Sequence, residues 1–273
     1  VIGESAVEDI IAGLAASQYP ETTLRRYVDA LILIGPDAIS SLANALSHNS
    51  PQVRSGAVLT LGTSGKSAGH LVPKIITLLD DDDAFVRASA AEALGKLGPA
   101  ARAAAPILAR KLNDKVSRVR AAAVGGLGKT AGDDVTYAAL FASALNADDA
   151  SVRIAATRVL SKLPAIATAA AENLVAALVD EDEHVRSGAA RALGVAGKDI
   201  ASSVPALVQQ LRDPVDEVRV EIVRALGAIG ETTPGVIAEL GATIADPSPK
   251  VRRQGVLTLR GLGPDAMPAV PQL

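Results

Sequence analysis

The chain has 273 residues and a formal net charge of -3, with 49% hydrophobic residues but only 2% aromatic ones, and it contains no Cys and no Trp. Without Cys there are no disulfides, thiolate nucleophiles or zinc-cysteine sites, and the small net charge supplies no global field for nucleic acid or an anionic membrane. No run of 18 apolar residues offers a membrane span and the N-terminus lacks a signal-peptide pattern, while the apolar volume must come from Ala, Val, Leu and Ile, as suits thin layers of closely packed helices.

The segment from Val1 to Ala16 carries Val7, Ile10, Ile11 and Leu14 at helical spacing. After a break at Ser17-Gln18-Tyr19-Pro20, a second helix runs from Leu24 to Ile34 and stops at Gly35-Pro36. This pair reads as a degenerate copy of the later helix pairs, with Thr23-Leu24 where those carry Val-Arg. The next helix, Asp37 to Ser47, is three residues shorter than its later counterparts.

From Val53 the register holds to the end. The pairs Val53-Arg54, Val86-Arg87, Val119-Arg120, Val152-Arg153, Val185-Arg186, Val218-Arg219 and Val251-Arg252 recur every 33 residues, and each Val is followed eight residues later by a Leu, from Leu61 to Leu259. An uninterrupted period of this size with one helix pair per copy is the mark of a solenoid, whose units bury their apolar faces only against neighbours. Residues 1-273 therefore read as one elongated domain: two degenerate repeats over 1-50, regular repeats over 51-264 and a truncated half repeat over 265-273.

Within a copy, the Val-Arg helix is apolar at the Val and four, eight and eleven residues on, as in Val86, Ala90, Leu94 and Leu97. That is one stripe of an α-helix. Three residues before the Val stands Ser50, Asp83, Asp149, Asp182 or Ser248, with Pro51 and Pro249 directly after two of them, which is N-cap chemistry. Gly65, Gly98, Gly197, Gly230 and Gly263 stop the helix at a left-handed C-terminal position. The partner helix has its own stripe, such as Ala68, Val72, Ile75 and Leu79, and the recurrent Pro73, Pro106, Pro205 and Pro271 predict a common mid-helix kink.

The pattern Pro-x-Leu-x-x-x-Leu-x-Asp, a turn, then Val-Arg-x-x-Ala-x-x-x-Leu-Gly resembles the HEAT repeat, in particular the short bacterial variety of phycobilisome-lyase-like proteins. The resemblance covers Pro51 to Val270 firmly. It implies an all-α, right-handed α-α superhelical solenoid of eight helix pairs, with the Pro-bearing helix outside and the Val-Arg helix lining the concave surface. Ala266, Val270 and Leu273 would need covering beyond the last residue, so the native protein is expected to continue past both ends.

Two sets of residues bear on function. The turns between paired helices are acidic, at Asp80 to Asp83, Asp148-Asp149, Asp180 to Glu183, Asp213 and Asp216-Glu217. These are expected to cap helices and face a structural ladder of Arg54, Arg87, Arg120, Arg153, Arg186, Arg219 and Arg252; a weak divalent-cation or basic-partner site at Asp80 to Asp83 or Asp180 to Glu183 is the alternative, although neither run has EF-hand spacing. Exposed positions of the Val-Arg helices fall six and ten residues after the Val, and six of these fourteen are basic: Lys96, Lys129, Arg158, Lys162, Arg191 and Arg224, against Glu92 alone. They form a basic band suited to an extended acidic ligand, or are an ordinary solvated surface.

No catalytic constellation is visible and no cofactor is implied. His48, His70 and His184 stand apart, without the His-Glu motifs of a deoxyhypusine hydroxylase, and the few aromatics argue against a HEAT-like alkylpurine glycosylase. Gly125-Gly126-x-Gly128 lies inside a helix, not after a strand, so it is no phosphate loop. The expected function is a non-catalytic scaffold binding a protein or peptide on the concave surface. The alternatives are a bilin lyase or lyase-chaperone-like protein, on resemblance alone, and nucleic-acid binding through the basic band.

Overall fold

The computed structural model describes residues 2-16 and 22-266, with the backbone alone for 2-5, 16, 22-25 and 36-37. The expected break at Ser17 to Pro20 and the half repeat beyond Ala266, with Pro271, lie outside the described residues. The chain divides into two compact units, Val1–Gly132 and Asp133–Leu273. Every regular element among the described residues is helical.

In the first unit the α-helices are α1 (Ile2–Ala16), α2 (Thr22–Ile34), α3 (Ile39–Ala45), α4 (Pro51–Thr63), α5 (Val72–Thr77), α6 (Ala84–Leu97), α7 (Ala105–Lys111) and α8 (Ser117–Ala131). The second unit contains α9 (Ala138–Ala144), α10 (Ala150–Leu160), α11 (Pro164–Ala169), α12 (Ala171–Ala177), α13 (Glu183–Ala196), α14 (Val204–Gln209), α15 (Asp216–Ile229), α16 (Pro234–Ala242) and α17 (Pro249–Leu262). The Val-Arg helices are α4, α6 and α8 in the first unit and α10, α13, α15 and α17 in the second. Within each unit they pack on one another in series, while the Pro-bearing segments meet mainly their own partner helix.

The Val, fourth and eighth positions are buried in every copy, and none of their side chains is more than 4% exposed, Gly255 having none. Burial extends past that stripe to Val58, Ala91, Ala93, Val124, Ala190, Val223 and Ala225, because each Val-Arg helix is pressed by a partner helix and by helices of its own kind. Each fully buried Val, Leu or Ile contributes about 1.5-3 kcal/mol. These layers are the main source of stability.

The Gly that follows the eighth-position Leu in five of the seven copies permits this approach, with Ser161 and Arg260 in the other two. A Cβ on Gly62 would lie 2.6 Å from Ala93 Cα, one on Gly95 2.9 Å from Gly126 Cα, and one on Gly194 3.0 Å from Ala225 Cα. Glycine inside a helix costs about 1 kcal/mol against Ala. Here that cost is offset by backbone-to-backbone contact. Of the cluster Gly125-Gly126-x-Gly128, Gly126 belongs to the same seam, since a Cβ on it would meet Ala91 O at 2.6 Å, whereas one on Gly125 would meet nothing.

Arginine joins successive repeats. Arg87 donates through Nε and Nη2 to Asp114 at 2.9 and 3.0 Å, and through Nη1 to the carbonyls of Asp81 and Asp82 at 2.9 and 3.0 Å. The same pattern, always 27 residues across, links Arg54 to Asp81, Arg153 to Asp180, Arg186 to Asp213 and Arg219 to Asp246. Each of these aspartates also accepts a backbone N–H two residues on, as Asp81 does from Asp83. Burial pushes the Asp81, Asp114 and Asp246 carboxyls up, but the guanidinium and amide bonds outweigh it and hold all three below the ordinary carboxylate range. Arg120 keeps the two carbonyl bonds, to Asp114 and Lys115, but Ala147 stands 27 residues on and offers no carboxylate. Arg252 likewise donates to the carbonyls of Asp246 and Pro247.

Three local expectations need correction. Pro73, Pro106 and Pro205 do not kink a continuous helix: each sits in the first turn of α5, α7 or α14, after a 3-10 segment, where no amide is missed. The stripe Ala68, Val72, Ile75, Leu79 is buried as expected, but 3-10 and α turns share it. Asp83, Asp149 and Asp182 cap their helices, whereas Ser50 Oγ turns to Gln52 and Ser248 Oγ to Asp216. Gly230 is left-handed helical, whereas Gly98, Gly197 and Gly263 combine positive φ with ψ between -133° and -142°, which a Cβ disfavours more strongly still, and at Gly65 the helix is capped one residue earlier by Ser64.

Gly62→Ala should destabilise the protein by about 1-3 kcal/mol, because the methyl has only the Ala93 backbone to meet. Gly69→Ala, with open space at its Cβ, should stay within about 0.5 kcal/mol of the parent; urea unfolding of both variants checks the contrast. Asp114→Ala strands the buried Arg87 guanidinium and should cost about 3 kcal/mol by the same measurement. Because the three aspartate pKa values are depressed on folding, their contribution is complete above the unfolded value of about 4 and is lost as pH falls through the folded values. Stability measured against pH should therefore show no loss from these groups between pH 8 and 5 and fall steeply below about 4.

Candidate interaction surface

Burial of the Val, fourth, seventh and eighth positions, and of the fifth in every copy but that of Val256, leaves the sixth and tenth facing solvent. In the first unit this exposes Glu92, Lys96 and Lys129, with Thr63, while Leu59 and Gly125 are half-buried. In the second unit Arg158, Lys162, Arg191 and Arg224 are exposed, together with Val195, Ala228, Leu257 and Gly261. All six basic residues expected on this face lie at its surface. All seven ladder arginines donate to turn carbonyls, and of them only Arg252 is exposed.

The basic residues are not equivalent. Lys96 pairs with Glu92 at 2.9 Å across one helical turn, a half-exposed contact worth about 0.3-0.5 kcal/mol. Arg191 Nη2 and Arg224 Nη1 both donate to the same Glu221 Oε1, at 2.9 and 2.8 Å. Glu221 is only 8% exposed. Its hydrogen bond raises the Arg191 guanidinium further above its already high pKa. Lys129, Arg158 and Lys162 have no carboxylate partner among the described residues.

Glu221 was missed by the sequence reading, yet a signal exists. It stands three residues after Val218, where the other copies carry Gly56, Ser89, Ala122, Ala155, Gly188 and Gln254. A carboxylate there lies beside the sixth-position arginine of the preceding helix. Gly188 holds the equivalent place after Val185, and a Cβ on it would come 2.4 Å from Thr157 Oγ1. Arg158, next to Thr157, therefore has no such counter-ion.

The acidic turns are engaged within the fold. Asp81 and Asp180 serve the ladder, Asp83 and Asp182 cap helices, and Asp80 pairs with Lys111 at 2.6 Å. No group of three or more His, Asp or Glu among the described residues is placed to hold a metal ion. His48 Nδ1 accepts the Ser50 amide at 3.0 Å, while His70 and His184 are exposed in different units. On the Pro-bearing side of the second unit, a cleft of about 470 Å³ is lined by Val204, Pro205, Val208 and Val236, with Glu231 and Glu239 at it. No helix among the described residues is long and apolar enough to cross a membrane.

The sequence pattern of HEAT repeats matches residues 39-128, 72-161, 137-216 and 204-273. Among solved structures, the crystal structure of importin beta in an ammonium sulfate condition is similar at a TM-score of 0.67 and 16% sequence identity, over 93% of this chain and 40% of that one. The chain thus spans about 40% of the length of importin beta, and at this identity the likeness is one of fold. No curated protein matches.

Proposed function

Since the chain belongs to the HEAT-repeat family, we propose that it is a non-catalytic scaffold that holds a protein or peptide partner on the concave face of its Val-Arg helices. HEAT solenoids are typically interaction surfaces and not reaction centres. The observation that carries the reading is the solvent-facing set of sixth- and tenth-position side chains, which the packing of each repeat leaves unused.

A photo-crosslinking side chain can be placed singly at Thr63, Lys96, Lys162 or Ala228 on this face and at Thr77, Arg110, Gln209 or Ala238 on the opposite one, all exposed. In extracts of the source cell, one protein adduct should be shared by positions of the first set and missing from the second. Adducts from the second set alone, or from both alike, would refute the assignment.

A further inference from the structure

We propose that the second unit reads an extended acidic segment with interspersed aliphatic residues, using Arg158 as the principal anchor and Glu221 as the residue that tempers Arg191 and Arg224. This rests on the scaffold reading above and names the chemistry of the partner. Arg158, Arg191 and Arg224 occupy one register on α10, α13 and α15, which pack in that order. Packed helices lie about 8-10 Å apart, and an extended chain advances about 3.3 Å per residue. Carboxylates roughly every third residue therefore match the column.

Of the cations Arg158, Lys162, Arg191 and Arg224, the last two meet one and the same carboxylate, Glu221, and the first two meet none among the described residues. By holding two guanidinium groups at once, Glu221 fixes where they stand and cancels part of their charge. Arg158, with Gly188 where a counterpart of Glu221 would be, keeps its full charge. The neighbouring exposed side chains are aliphatic: Val195 is 37% and Leu257 47% exposed, and Ala228 lies between them in the repeat order. This mixture of guanidinium and aliphatic side chains suits a peptide.

Nucleic acid fits less well. No sixth or tenth position carries a ring on which a base would stack.

The test is fluorescence anisotropy with the full 273-residue chain and three labelled probes: a peptide of four Asp-Glu-Leu units, its Asn-Gln-Leu counterpart, and a 12-nucleotide single strand. The acidic peptide should bind at least 10-fold more tightly than the other two, and more weakly as salt rises. Glu221→Gln should strengthen that binding by roughly 3- to 10-fold, since it releases two guanidinium groups from one buried charge. Arg158→Gln should weaken it by about 10-fold, and more than Arg191→Gln or Arg224→Gln, each of which leaves Glu221 one arginine to neutralise.

Because these three arginines are exposed, their ranking stands as a test even where Glu221→Gln fails to fold. Equal losses at the three arginines, unchanged or weaker binding by a folded Glu221→Gln, or tighter binding of the neutral peptide or the single strand would each overturn the proposal. Should the acidic peptide fail while cross-linking at Lys162 and Ala228 persists, the acidic assignment falls and the scaffold reading stands.

Discussion

The contact on which the rest depends is the close approach of successive Val-Arg helices. With Gly62 against Ala93 and Gly95 against Gly126, backbones come within reach of one another and leave no room for a methyl. Such spacing makes every layer bury its Val, Ala and Leu on neighbours and not on itself. A single helix pair would expose most of that surface, and its ordering entropy would outweigh the burial it retained. Length is thus a condition of stability here, and the thin Ala-rich layers are the form that a low-aromatic composition can take.

The arginine bridges act on a different term. A buried guanidinium-carboxylate pair loses in desolvation much of what it gains in attraction, so its net contribution is small beside that of an apolar layer. Its geometry is demanding. Arg87 meets two carbonyls of its own turn and both oxygens of Asp114, and the planar fork has few other ways to satisfy five N–H donors. Apolar layers of similar residues tolerate sliding; a fork that must meet four oxygens does not. The bridges therefore fix the register that the layers stabilise, and they consume the aspartates that might otherwise suggest a cation site.

How far the sequence disclosed this depends on whether a feature repeats. The period, the buried stripe and the solvent-facing sixth and tenth positions follow from residue type and spacing alone. Asp114, the last residue of one Pro-x-Leu-x-x-x-Leu-x-Asp copy, and Asp246 were not read as ladder partners because they do not stand in visibly acidic runs, although both lie 27 residues after an arginine. The proline segments were misjudged because a stripe of spacing four, three and four is satisfied by a 3-10 turn leading into an α turn as well as by one continuous helix. At the interaction face the basic side chains were legible, but their pairing was not. Glu221 and the arginine it meets on α13 are 30 residues apart, a separation no local pattern encodes.

The repeat also separates what structure needs from what binding can use. The Val, fourth and eighth positions are tied to packing, and the arginine after each Val is tied to the turn carbonyls. The sixth and tenth positions carry little of that burden. They hold Leu, Glu, Gly or Arg at the sixth and Thr, Lys, Val, Ala or Gly at the tenth. A change there alters the field of the face without moving a helix. Because the stack transmits contacts only between neighbours, such changes stay local. One carboxylate on α15 can set the charge available to arginines on α13 and α15 while leaving Arg158 on α10 untouched, so selectivity on this face can be graded repeat by repeat.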